Sequence, residues 1–181
     1  MSVARVTIVY ESMFGSTRKV AEAIARGLRP QCTTRVVRVS EASDSIVDTD
    51  LLIVGAPTHA HGLSRPQSRA EAAKWAADPE RGLELEPGAE GTGMREWLDR
   101  VDELPARSAA FDTRADIPEI FSGSAARKIE HQLRRRRSDP IIERQSFLVD
   151  KRSSLESGEL DRAEEWGREI AAKVGDQVGA S

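Results

Sequence analysis

The chain has 181 residues, 39% of them hydrophobic and 31% charged, with a net charge of −3 and a single cysteine. That length can bury one real hydrophobic core. The charge gives no global attraction to nucleic acid or to membranes, and a lone Cys32 excludes an intramolecular disulfide and suits a reducing compartment. No stretch approaches the ~20 apolar residues of a membrane span. No secretory signal pattern is recognised at the N-terminus, so a cytoplasmic setting is expected.

Val6 to Tyr10 is a short apolar run that reads as a buried strand. A polar turn through Glu11 to Ser16 leads into a helix with Val20, Ala21, Ile24 and Leu28 on one face. Ser16 or Thr17 is the expected N-cap, and Gly27 with Pro30 marks the end. Thr33 to Val39 reads as a second strand, polar Glu41 to Asp50 as a short helix, and Leu51 to Gly55 as a third strand. Strands alternating with helical segments point to a parallel sheet covered on both faces.

Two loops follow the first and third strands. The first carries Ser12, Ser16 and Thr17 hydroxyls with Gly15 beside a helix N-terminus. Unpaired N–H groups and the positive end of the helix dipole make such a turn an anion site. It is neither a Walker A loop nor a G-x-G-x-x-G turn. The second reads Pro57-Thr58-His59-Ala60-His61-Gly62. Two histidines two residues apart suggest a metal, but no third ligand stands close in sequence.

Leu63 to Gly93 reads as an insertion, helical around Trp75 and loose in the acidic stretch Asp78 to Glu90. Gly93 to Leu104 reads as a helix with Trp97 in the core, Ser108 to Phe111 as a fourth strand, and Ser124 to about Arg135 as a helix with Ala125, Ala126, Ile129 and Leu133 inward. The four arginines from Arg134 to Arg137 suit a helix C-terminus, with an acidic partner or a nicotinamide-cofactor phosphate as alternatives. Gln145 to Val149 reads as the fifth strand and Gly158 to Val174 as an amphipathic closing helix with Trp166 on the sheet, while the residues beyond Gly175 read as a frayed end.

The stretch Y-E-S-M-F-G-S-T-R-K-V-A-E-A-I-A resembles the phosphate-binding segment of the flavodoxin family. The resemblance implies a three-layer α/β sandwich with a five-stranded parallel sheet of order 2-1-3-4-5, as a single domain over residues 1–181 with the insertion at about 63–93. It implies that Ser12, Met13, Phe14, Gly15, Ser16 and Thr17 wrap the phosphate of FMN. It further implies that Pro57, Thr58, His59, Ala60, His61 and Gly62 flank the flavin ring, with Asp112, Thr113 and Arg114 beside it. The aromatic-rich, glycine-rich form of that last loop is absent. Tyr10 lies in the first strand, so Phe14, His59, His61 or Phe121 must serve as the ring's neighbour.

Three functions are compatible with these features. One is an electron carrier meeting a redox partner protein. A second is an FMN-dependent oxidoreductase using NAD(P)H or a quinone. A third is a flavin-free binding module. Nucleic acid is not an expected partner, and the oligomeric state is not encoded in any motif.

Overall fold

A computed structural model describes residues 3–178, with side chains through Gly175. Its centre is a parallel sheet of β1 (Ala4–Tyr10), β2 (Cys32–Arg38), β3 (Leu51–Pro57), β4 (Arg107–Ala115), β5 (Asp139–Pro140) and β6 (Gln145–Val149). The order is β2-β1-β3-β4, and the fifth position is shared by β5 and β6. β5 pairs with the start of β4 (Arg107↔Asp139), and β6 pairs with its end (Phe111↔Gln145 to Ala115↔Val149). The expected 2-1-3-4-5 sheet is therefore present, with its last position broken between Ile141 and Arg144. Pro140, which has no N–H to donate, sits at this edge where no ladder bond is lost.

Helices α1 (Ser16–Leu28) and α6 (Glu159–Val178) cover one face. α6 continues through Val178, past the expected fraying point at Gly175, and residues 179–181 lie outside the described part. The core under α1 and α6 holds Ile8, Ile24, Leu51, Ile53 and Ile170 around an edge-to-face trio of Phe111, Phe147 and Trp166, with centroids 6.2–6.3 Å apart. α1 and α6 touch backbone to backbone. A Cβ at Gly27 would stand 2.1 Å from the Glu164 carbonyl oxygen, and one at Gly167 would stand 2.3 Å from that of Ile24.

Helices α2 (Pro66–Ala76), α3 (Met94–Arg100), α4 (Glu119–Ser122) and α5 (Ala125–Arg135) complete the chain. α3 and α5 close the other face over Val9, Leu52, Val54 and Ala110, with Trp97 fully buried as expected. α3 is shorter than the sequence suggests. The Asp102 N–H donates to the Asp44 carbonyl and the Ile46 N–H to that of Glu103, which draws the chain off the helix at Val101. This pairing also takes up most of the polar 41–50 segment, where only a 3-10 turn at Val39–Glu41 forms. Arg136 serves the C-terminal end of α3, donating to the Val101 and Asp99 carbonyls. No helix among the described residues is long and apolar enough to cross a membrane.

Candidate functional site

The carboxyl ends of β1, β3, β4 and β6 enclose a cleft of about 350 Å³. In parallel sheets this end is where ligands bind, because the loops and helix N-termini converge there. The volume falls in the range of small-molecule sites.

Its floor begins at the β1–α1 turn. Gly15, not Ser16 or Thr17, is the residue before α1, with φ +99° and no side-chain cap. Only glycine takes that conformation without strain. The Gly15 N–H donates to Ser12 Oγ at 3.1 Å, which curls the loop and leaves the Ser12 hydroxyl proton free. Thr17 Oγ1 and Thr113 Oγ1 are 2.7 Å apart, both buried. One hydroxyl donates to the other, so one proton of the pair is left to offer elsewhere. Ser16 Oγ donates to the carbonyl of Ser153, in the loop after β6. The first-turn N–H groups of α1 have no acceptor within the helix.

The second wall is the turn after β3. His59 and Gly62 exchange both backbone bonds, at 2.7 and 2.8 Å, around Ala60 (φ 41°) and His61 (φ 71°). Two left-handed central residues define a type I′ turn, here built without central glycines. The turn is bridged to the β4–α5 connection through His61 and Gly123. The approach is close: a Cβ at Gly123 would lie 2.4 Å from the His61 Cα.

Of the fifteen residues implied by the resemblance, Ser12, Met13, Phe14, Ser16, Thr17, Pro57, Thr58, His59, Ala60, Thr113 and Arg114 line the cleft. Gly15 shapes the loop from outside it. His61 is exposed and Gly62 lies under the Lys128 side chain, both away from the lining. Asp112 is fully buried in β4 and engaged elsewhere. Its Oδ2 accepts from Ser124 Oγ (2.7 Å), Thr58 Oγ1 (3.2 Å) and the Ala126 N–H (2.9 Å), capping the start of α5. The fourth strand runs through Ala115 because β6 pairs along it, so Asp112, Thr113 and Arg114 are strand residues rather than a loop. Arg114 is fixed by donating to the Ile117 carbonyl at 2.6 Å.

The structure adds Trp75, Asp150, Lys151 and Ser153 to the lining. Trp75 comes from α2, is 38% exposed, and carries the Arg81 guanidinium 5.2 Å from its ring centre. It, with Phe14 and His59, supplies the flat surfaces. Phe121 is 67% exposed and outside the cleft. The signal for Trp75 was its isolation in a polar helix, but its position depends on how the 63–93 segment folds back.

Behind the cleft lies a buried polar chain. Ser64 Oγ donates to Glu11 Oε1, the Met94 N–H donates to Glu11 Oε2 at 2.6 Å, and Arg69 donates to Ser64 Oγ at 3.0 Å and Glu96 at 3.1 Å. Burial pushes the Glu11 carboxyl above its ordinary value, opposed by the bonds from Ser64 and Met94. Burial, then the charge of Arg69, pushes the His59 imidazole down, so the ring is neutral near pH 7. Its buried Nε2 has no hydrogen-bond partner. An orphaned polar atom on a cleft-lining residue fits a ligand with hydrogen-bonding edges.

Residues 8–95 match the model of the flavodoxin family. Over this span the chain is similar in sequence to the flavodoxin family. Members of the flavodoxin family bind FMN. The fold is also that of solved flavodoxins. A flavodoxin from the domain Archaea has 18% identity and a TM-score of 0.63, with 94% of this chain and 99% of that one covered. Flavodoxin 2 from Bacillus cereus has 18% identity and a TM-score of 0.61, with coverages of 96% and 99%. A flavodiiron core from Synechocystis sp. has 17% identity and a TM-score of 0.62, with 97% of this chain covering 37% of that one. At these identities the likeness is one of fold. No curated protein matches the chain in sequence.

The cleft fits FMN in its chemistry. A hydroxyl-bearing loop at a helix N-terminus suits the phosphate, and an apolar, aromatic wall with an unpartnered imidazole nitrogen suits a flat heterocycle.

Proposed function

We propose that this protein binds FMN in the cleft and works in electron transfer. The observation that carries this reading is the junction of the Ser12–Thr17 loop, the Pro57–Ala60 turn and the Thr113–Arg114 strand end in one cleft. The loop N–H groups and the free protons of Ser12 and of the Thr17–Thr113 pair hold the phosphate. Trp75, Phe14 and neutral His59 exclude water from the ring and orient it. Bound FMN supplies the redox chemistry, and the chain supplies position and electrostatics.

Partner choice follows from the open side of the cleft, where a redox partner protein reaches the ring edge. A second reading, an oxidoreductase using NAD(P)H or a quinone, is favoured by the basic Arg114 and Lys151 on the lining. The test is the visible spectrum of the purified protein, followed by titration of apoprotein with FMN. Stoichiometric uptake supports the site, and a colourless protein indifferent to micromolar FMN removes it in favour of a flavin-free module. NAD(P)H oxidation with a quinone by the loaded protein selects the second reading over the first.

A further inference from the structure

The 63–93 segment grips the Ser12–Thr17 loop. The Glu86 N–H donates to the Met13 carbonyl at 2.7 Å. Both carboxylate oxygens of Glu86 accept from Arg18 Nε at 3.1 Å, and Arg38 Nη2 stands 3.6 Å away. Leu85 and Ala89 pack against Met13, Phe14 and Ala72 in a small apolar cluster of their own. Glu86 Oε1 would lie 2.9 Å from a Cβ at Gly15, so the carboxylate closes against the left-handed bend of the loop. The Glu86 side chain is only 12% exposed.

We propose that Glu86 is a positioning residue for the phosphate group of FMN, acting through the Ser12–Thr17 loop. The proposal rests on the FMN reading above. A carboxylate beside a phosphate site repels the ligand unless it is neutralised, and here two arginines neutralise it. Arg18 in turn is a cation in the first turn of a helix, where the dipole disfavours it. Glu86 and Glu22, the latter 3.0 Å from Arg18 Nη1, offset that charge, and Glu86 holds the guanidinium Nε against the loop. Glu86 thus contributes shape: its backbone holds Met13 and its side chain holds Arg18, one on each side of Gly15.

The test compares FMN with riboflavin, which has the same ring and ribityl chain but no phosphate. Apoprotein of the wild type, Glu86→Ala and Glu86→Gln is titrated with each, read by quenching of flavin fluorescence. Glu86→Ala is expected to weaken FMN binding by about tenfold, on the scale of one charge-assisted hydrogen bond. Riboflavin binding is expected to stay unchanged. Glu86→Gln, whose amide oxygen still accepts from Arg18, is expected to recover part of the loss. Circular dichroism confirms that each variant is folded. Unchanged or tighter FMN binding in Glu86→Ala overturns the proposal, as does an equal loss for riboflavin. A wild type that takes up neither flavin removes the FMN reading itself, and the role of Glu86 with it. Wild-type uptake without an FMN-selective loss removes only the role of Glu86.

Discussion

The hydroxyl of Thr17, in the first turn of α1, meets the hydroxyl of Thr113, on β4, at 2.7 Å. The two residues are 96 positions apart in sequence, and their contact spans β3, the strand between β1 and β4. Replacing Thr17 by Val leaves the Thr113 hydroxyl buried without its partner, at a cost of about 1–3 kcal/mol. Replacing both by Val removes the orphan, so the double variant is expected to lose less stability than the two single losses added together. Urea denaturation of the four proteins measures this. FMN affinity is expected to fall most in the double variant, which removes the one proton that the pair can offer, whereas each single variant keeps one hydroxyl with its proton free.

The pH dependence of stability has a defined sign at His59. Its folded value lies below the ordinary 6.5, chiefly through burial. On acidification the unfolded chain therefore takes up the proton first. The stability due to neutral His59 is complete above the unfolded value and is lost as pH falls through it toward the folded value. Glu11 has the opposite sign: its carboxyl is raised, so burying it favours the fold below 4.5 and opposes it as pH climbs above that value. Glu11 contributes equally in both proteins, so urea midpoints measured between about pH 8 and pH 5 are expected to fall more, or rise less, on the acid side in the wild type than in His59→Gln. Equal slopes would show that the imidazole titrates as it does in the unfolded chain.

Trp75 is 38% exposed and stands on the cleft rather than in either core. Trp75→Ala is expected to leave global stability within about 1 kcal/mol, and to weaken FMN binding by about 0.5–1.5 kcal/mol through the lost aromatic contact. Isothermal titration of the apoprotein measures the second effect, thermal unfolding the first. In the wild type, tryptophan emission is expected to be quenched on FMN addition. The buried Trp97 and Trp166 serve as internal controls through variants at Trp75.

The type I′ turn at 59–62 places His61 at φ 71°. Left-handed backbone costs a non-glycine residue about 1–2 kcal/mol, part of which glycine returns as unfolded-state entropy. His61→Gly is expected to stabilise the protein by roughly 0.5 kcal/mol. Since His61 is outside the cleft lining, FMN affinity is expected to hold. A loss of affinity would show that the His61 ring reaches the ligand.

Local pattern explains which parts of the molecule were legible from residue order. β1, β3, α1, α5 and α6 are marked by apolar runs or stripes that their own residues complete. Ala125, Ala126, Ile129 and Leu133 face inward as the spacing requires. The extension of β4 to Ala115 was hidden because it depends on pairing with β6, more than thirty positions later. Asp112 reads as a loop acid and is a helix cap, since the helix it serves begins only in three dimensions beside Thr58. The acidic stretch 78–90 reads as solvated loop because its charge partners, Arg18 and Arg38, lie in other elements. Most residues that line the cleft were legible in their own loops, and the residues that hold those loops were not.

The glycine contact between α1 and α6 bears on what supports the site. Gly27 and Gly167 let the two helices meet at backbone distance, and no side chain of either helix can stand in for the missing partner there. α1 begins at the Ser12–Thr17 loop and packs on the sheet as well as on α6, so α6 braces from behind the helix that carries that loop. The loop therefore has its full support only once the C-terminal helix is in place.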